Sequence, residues 1–237
     1  MMLTKEQGQA VTAYLISKKL PMDLLLEVKD HFIEQIENTE NTDFETAFGA
    51  AKLSWEKELR MVYKFNLPLR KVTVFQRNTD RKISFANLKR TILYFVPFFL
   101  LSVFLCYFRK DWAQNLFLFS YIVIGLVTLL SFVLFYKYYK SSTTNDKRNI
   151  SIYQKGTLIY FLSGMYVVVF NLINFYDRFE KFNISLLMLT NGHLGKVSYI
   201  PLIYTYIFMF FWMYGLLYFL QYRKAVTELE QRINLKL

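Results

Sequence analysis

Apolar positions follow two different rules along the chain. Up to about residue 63 they recur at helical spacing among charges, whereas beyond residue 90 they run together in long uninterrupted blocks. In the first part, Thr4 followed by Gln7 is a capping-box pattern that opens a predicted helix running to about Lys19, with Val11, Tyr14 and Leu15 facing inward. Pro21 marks a break. A second helix, from about Met22 to Asn38, sets Leu24, Leu25, Val28, Phe32 and Ile36 in one stripe roughly 120° wide. Thr42 with Glu45 repeats the capping box and opens a third helix. Phe44, Phe48, Ala51, Trp55, Leu59 and Val62 then follow on one face, and no strand pattern is expected among these residues.

The second part predicts four membrane spans. Residues 91–108 and 115–136 carry no charge over 18 and 22 positions, and 157–176 and 197–222 are likewise uncharged, each long enough to cross a bilayer. The fold class expected is therefore all-α: an integral membrane protein with a small cytoplasmic three-helix domain (1–63), a basic linker (64–90), four transmembrane helices (91–222) and a cytoplasmic tail (223–237). A three-helix core of this size is marginal alone, which favours packing against a partner or the rest of the chain.

Charge sharpens the division. Residues 1–63 carry a net charge of −4 and the remainder +15, with the positives flanking the spans. Seven Lys and Arg precede the first span, five follow the second and four follow the fourth, against two and three in the opposite loops. That bias retains both termini in the cytoplasm of a multi-pass protein of the cell inner (plasma) membrane. The opening MMLTKEQGQAVTAYL is polar and acidic where a signal core would stand, which points the same way. The acidic domain and the basic tail then share a compartment, where they could touch. The basic linker is expected to meet anionic headgroups, and no direct nucleic acid partner is expected. The single cysteine, Cys106, lies in an apolar run and excludes an internal disulfide.

The stretch EVKDHFIEQIE raises the one question of local chemistry. On a helix Glu27, His31 and Glu34 fall in a strip roughly 60° wide, a geometry that invites a metal reading. One helix seldom encloses a cation, and neither a second Glu-x-x-His nor another histidine accompanies it in this domain. His31 is expected instead at the edge of the apolar stripe, with its ring buried and a nitrogen offered to a carboxylate. No catalytic residue, metal or cofactor is expected. The exposed band of Glu27, Asp30, His31, Glu34 and Glu37 is the candidate surface for a partner. In the spans, Ser163, Gly164, Asn171 and Asn174 read as helix-packing and hydrogen-bonding positions, and Pro97 and Pro201 as bends. Trp112 and Tyr138–Tyr139 suit the membrane interfaces. His193 falls in an exposed loop, with a re-entrant segment at 184–189 as an alternative.

The order YLISKKLP, EVKDHFIEQIE and DFETAFGAAKLSW resembles the small helical domain termed HAAS, or permease-prefix type, which stands at the amino terminus of many bacterial membrane proteins. Glu27, Asp30 and His31 match its Glu and (Asp/Tyr)-x-His region, and Phe44 to Ala47 its later, Ala-containing helix opening. Lys52-Leu53-Ser54-Trp55 departs from the Gly-x-Pro often found after the last helix. The resemblance implies a signalling or docking module, of a kind frequently encoded near PadR-type regulators. The expectation is a non-enzymatic membrane-anchored sensor or docking protein that binds a soluble cytoplasmic protein. The alternative is an accessory subunit of a membrane transporter.

Overall fold

The computed structural model describes residues 3–39, 43–64, 70–143, 150–192 and 198–233. The chain forms two compact units: Met1–Phe85 with Thr144–Ile152 and Lys224–Leu237, and Ala86–Thr143 with Tyr153–Arg223.

The first unit is built on α1 (Lys5–Ser17), α2 (Met22–Glu37) and α3 (Phe44–Ser54). The Thr4 box forms as the sequence predicts: Gln7 N–H donates to Thr4 Oγ1 and Thr4 N–H donates to Gln7 Oε1. Each bond satisfies a backbone donor in the open first turn. Lys19 takes a left-handed φ of 55° and turns the chain so that Pro21 caps α2. Val11, Leu15, Leu20, Val28 and Phe32 are fully buried, with Leu24, Leu25 and Ile36 beside them. Each such side chain contributes about 1.5–3 kcal/mol of burial free energy.

Three features depart from expectation. Asp43, not Thr42, caps α3, accepting from Thr46 N–H; Thr42 lies outside the described residues. Hydrogen bonding from the Thr46 hydroxyl, and then from its N–H, holds the Asp43 carboxyl below its usual range. The third helix also stops at Ser54, whose hydroxyl donates back to the Ala51 carbonyl. Trp55 leaves the helical register, α4 (Glu56–Leu59) buries Leu59, and the chain becomes extended at Arg60. Finally, β1 (Met61–Lys64) pairs antiparallel with β2 (Arg70–Thr73), Val62 opposite Val72. Met-Val-Tyr and Lys-Val-Thr are short β-branched and aromatic runs that favour a pleat over a fourth helical turn. The segment expected as a linker is thus this hairpin followed by helix, because Thr73 Oγ1 accepts from Gln76 N–H and starts α5 (Val74–Phe108) seventeen residues before the expected span.

Four helices, of which residues 86–108, 110–134, 154–172 and 199–223 belong to the second unit, are long and apolar enough to cross a membrane: Val74–Phe108, Lys110–Leu134, Gln154–Leu172 and Tyr199–Arg232. They belong to α5, α6 (Lys110–Leu134), α8 (Gln154–Tyr166) with its π-helical continuation Val167–Leu172, and α10 (Tyr199–Ile233). The third is the most enclosed, with 44% of its apolar window buried against 17%, 28% and 22% for the others. Glycines at its contacts, two of its own and one on α10, explain this. A methyl group at Gly156, Gly164 or Gly215 would strike Tyr218, Thr128 or the Tyr160 backbone respectively. Pro97 sits inside α5, whereas Pro201 lies in the first turn of α10, where its missing N–H breaks no helical bond. Residues 223–233, expected as tail, continue α10 as helix.

The segment expected as a loop after the third span contains α9 (Phe175–Thr190) instead. Phe175, Phe179, Phe182 and Leu186 are buried and Asp177, Arg178, Glu180 and Lys181 exposed, an amphipathic pattern. Residues 184–189 run straight through this helix, so no re-entrant turn occurs there. α7 (Tyr136–Thr143) follows α6. The His193 loop lies outside the described residues.

Candidate functional site

The carboxylate band of α2 does not survive as one uniform surface. Asp30 accepts from Arg232 Nη1 at 3.1 Å, joining α2 to the end of α10. Glu37 Oε1 accepts from Leu3 N–H at 3.2 Å and ties down the start of the chain. Glu27, His31 and Glu34 are exposed, as is the paired Asp30. His31 is not buried at the stripe edge as expected. Its ring stacks on Trp55 at 6.2 Å between centroids and 25° between planes, while Nδ1 stands 3.8 Å from Glu34 Oε2. The break at Trp55 causes this, because it turns the indole between Phe32, Phe75 and His31. An open groove of about 360 Å³ results, lined by His31, Glu34, Gln35, Asn38 and Trp55. Gln35 Nε2 donates to Ser54 Oγ at 3.0 Å, fixing the gap between α2 and α3. Among the described residues no three His, Cys, Asp or Glu side chains are placed to hold a metal ion.

Sequence reasoning missed Asp23. Its carboxylate accepts from Ser151 Oγ at 2.6 Å and from Ile152 N–H at 3.0 Å, and its own N–H donates to the Ile150 carbonyl. Desolvation by burial raises the Asp23 pKa, and those hydrogen bonds oppose the rise. The partners lie 128 and 129 residues away, so no local pattern could have revealed the clip.

The candidate packing residues divide as well. Ser163 and Gly164 are buried, Ser163 donating to the Ile159 carbonyl and Gly164 admitting Thr128. Thr128 Oγ1 in turn accepts from Trp212 Nε1 at 2.9 Å, and Tyr160 OH donates to Ser131 at 2.9 Å. Asn87 and Gln221 exchange two amide bonds, and Ser102 meets Tyr206 at 2.8 Å. These bonds are the polar glue of the bundle. Asn174 is not part of it. It is exposed in the left-handed region at φ 58°, where asparagine is tolerated, and it turns the chain from the π segment into α9. Asn171 is buried, but its Nδ2 has no hydrogen-bond partner.

Fold and composition together define an all-α integral membrane protein with four membrane-spanning helices. No family model, curated protein or solved structure matches the chain.

Proposed function

We propose that this chain is a non-enzymatic, membrane-anchored docking or sensor protein of the cell inner membrane, both termini cytoplasmic, whose helical domain receives a soluble protein in the His31–Trp55 groove. One observation carries the reading. Of the five candidate residues, Asp30 and Glu37 are engaged by the chain itself, and His31 and Glu34 line an open groove with an indole wall. A Trp face beside carboxylates suits an Arg or Lys side chain, which gains cation–π contact and charge-assisted hydrogen bonds together. The HAAS-like order of motifs makes a PadR-type regulator the first partner to test. The charge bias of the loops supports the cytoplasmic side.

The test is a binding titration of a purified PadR-type regulator against the full-length protein in nanodiscs. Glu27→Lys with Glu34→Lys should weaken binding about tenfold or more, as expected for losing charge-assisted contacts. Asp30 and Glu37 stay unchanged so that their internal bonds persist. Equal binding by the double reversal would remove the residue-level basis of the reading.

A further inference from the structure

We infer that a cleft bordered by the π-helical end of the third span, the first turns of α9 and the start of α10 binds a small oxyanion, either free or as the phosphodiester of a lipid headgroup. The cleft measures about 300 Å³ and is lined by Asn171, Asn174, Asp177, Arg178, Lys181, Ile200, Pro201, Tyr204 and Thr205. A second, smaller pocket of about 10 Å³ shares Asn171, Arg178 and Thr205 with it and adds Tyr121. The inference is independent of the docking groove on α2.

Four observations converge on an anion. Asn171 is 5% exposed, lines both spaces, and holds an amide nitrogen with no hydrogen-bond partner, a donor that a bound oxygen would satisfy. Arg178 has no carboxylate partner among the described residues, its guanidinium lying only 6.0 Å from the Phe170 ring. Lys181 pairs with Asp177 at 2.7 Å, so the mouth keeps the net positive charge of Arg178. The N-terminal turn of α9 borders the cleft, and Asn174 at its cap position makes no side-chain capping bond, which leaves the positive end of the helix dipole available. Ile200, Pro201 and Tyr204 supply an apolar wall for the ligand's body. The wide π-helical turn ending at Leu172 accompanies this opening, as such turns often do at functional sites.

Line broadening in phosphorus NMR of the full chain in neutral maltoside micelles tests the site, with inorganic phosphate and dihexanoylphosphatidylglycerol as probes. The wild-type protein should broaden at least one signal saturably. Arg178→Gln should weaken that binding about tenfold, and Asn171→Ala should also weaken it, the size expected for losing a charge-assisted bond. Lys57→Gln, the same charge change elsewhere on the surface, should leave it intact. Displacement of the lipid by phosphate assigns the site to the oxyanion itself, and response to the lipid alone assigns it to a headgroup. No broadening by either probe, or Arg178→Gln behaving as wild type, overturns the inference. Arg178 is exposed, so its replacement does not threaten folding.

Discussion

Val28 and Leu15 in the first unit, and Thr128 and Gly164 in the second, occupy the same kind of position, the buried contact between helices. Their chemistry is opposite because the surrounding solvents differ. In the first unit water drives Leu, Val and Phe inward and leaves Glu27 and Glu34 outside. In the second, Leu93, Leu100, Val133 and Ile200 face outward, since lipid solvates them as well as a protein interior would. What then holds the helices is close approach at glycine and hydrogen bonds such as Trp212 to Thr128.

The sharpest way to break this contrast is to truncate an apolar side chain on each side. Phe32→Ala, which opens a cavity under Tyr14 and Trp55, should lower stability by about 3–5 kcal/mol, whereas Leu93→Ala should change it by less than about 1 kcal/mol. Thermal unfolding of the full chain in detergent measures both. Glycine gives a second contrast. Gly164→Ala should destabilise by up to about 3 kcal/mol through the clash with Thr128, while Gly49→Ala, with open space around it in α3, should stabilise by about 0.5–1 kcal/mol.

Asp23→Ala leaves the Ile152 N–H and Ser151 without their acceptor and should cost about 1–2 kcal/mol. Its pH dependence has a definite sign. The folded pKa of Asp23 is raised above 3.8, so the folded state binds the proton more tightly. The stability this contributes is present below 3.8 and is lost as pH rises through the folded value. Asp23→Asn should abolish that descending arm in a series of melting temperatures. Asp43, lowered by its hydrogen bonds from Thr46, acts in the opposite sense, its contribution fading as pH falls through the folded value. The smallest effect belongs to the exposed Asp30–Arg232 pair, where Arg232→Ala should cost less than about 1 kcal/mol and depend on salt.

Legibility in the sequence followed the same contrast. The Thr4 box, the stripe from Leu24 to Ile36 and the four spans are local patterns, and the physics that forms them is local as well. α9 was legible in principle from Phe175, Phe179, Phe182 and Leu186, spaced by 4, 3 and 4, but its four charges resemble a loop between spans. The helical start of α5 was hidden in the same way by Arg77, Arg81 and Lys82. The Asp23 clip and the Asp30–Arg232 pair join residues more than 120 apart, and the stacking of His31 on Trp55 depends on a helix break that the apolar stripe alone does not signal.

The central claim is that an even number of spans keeps the helical domain and the end of α10 in one compartment, as the Asp30–Arg232 contact also requires. Single cysteines at Lys57, Asn191 and Lys224, in a Cys106→Ser background, can be probed in intact cells with a membrane-impermeant maleimide. The account predicts labelling at position 191 without permeabilisation, and at 57 and 224 only after it. Labelling that separates 57 from 224 would contradict it.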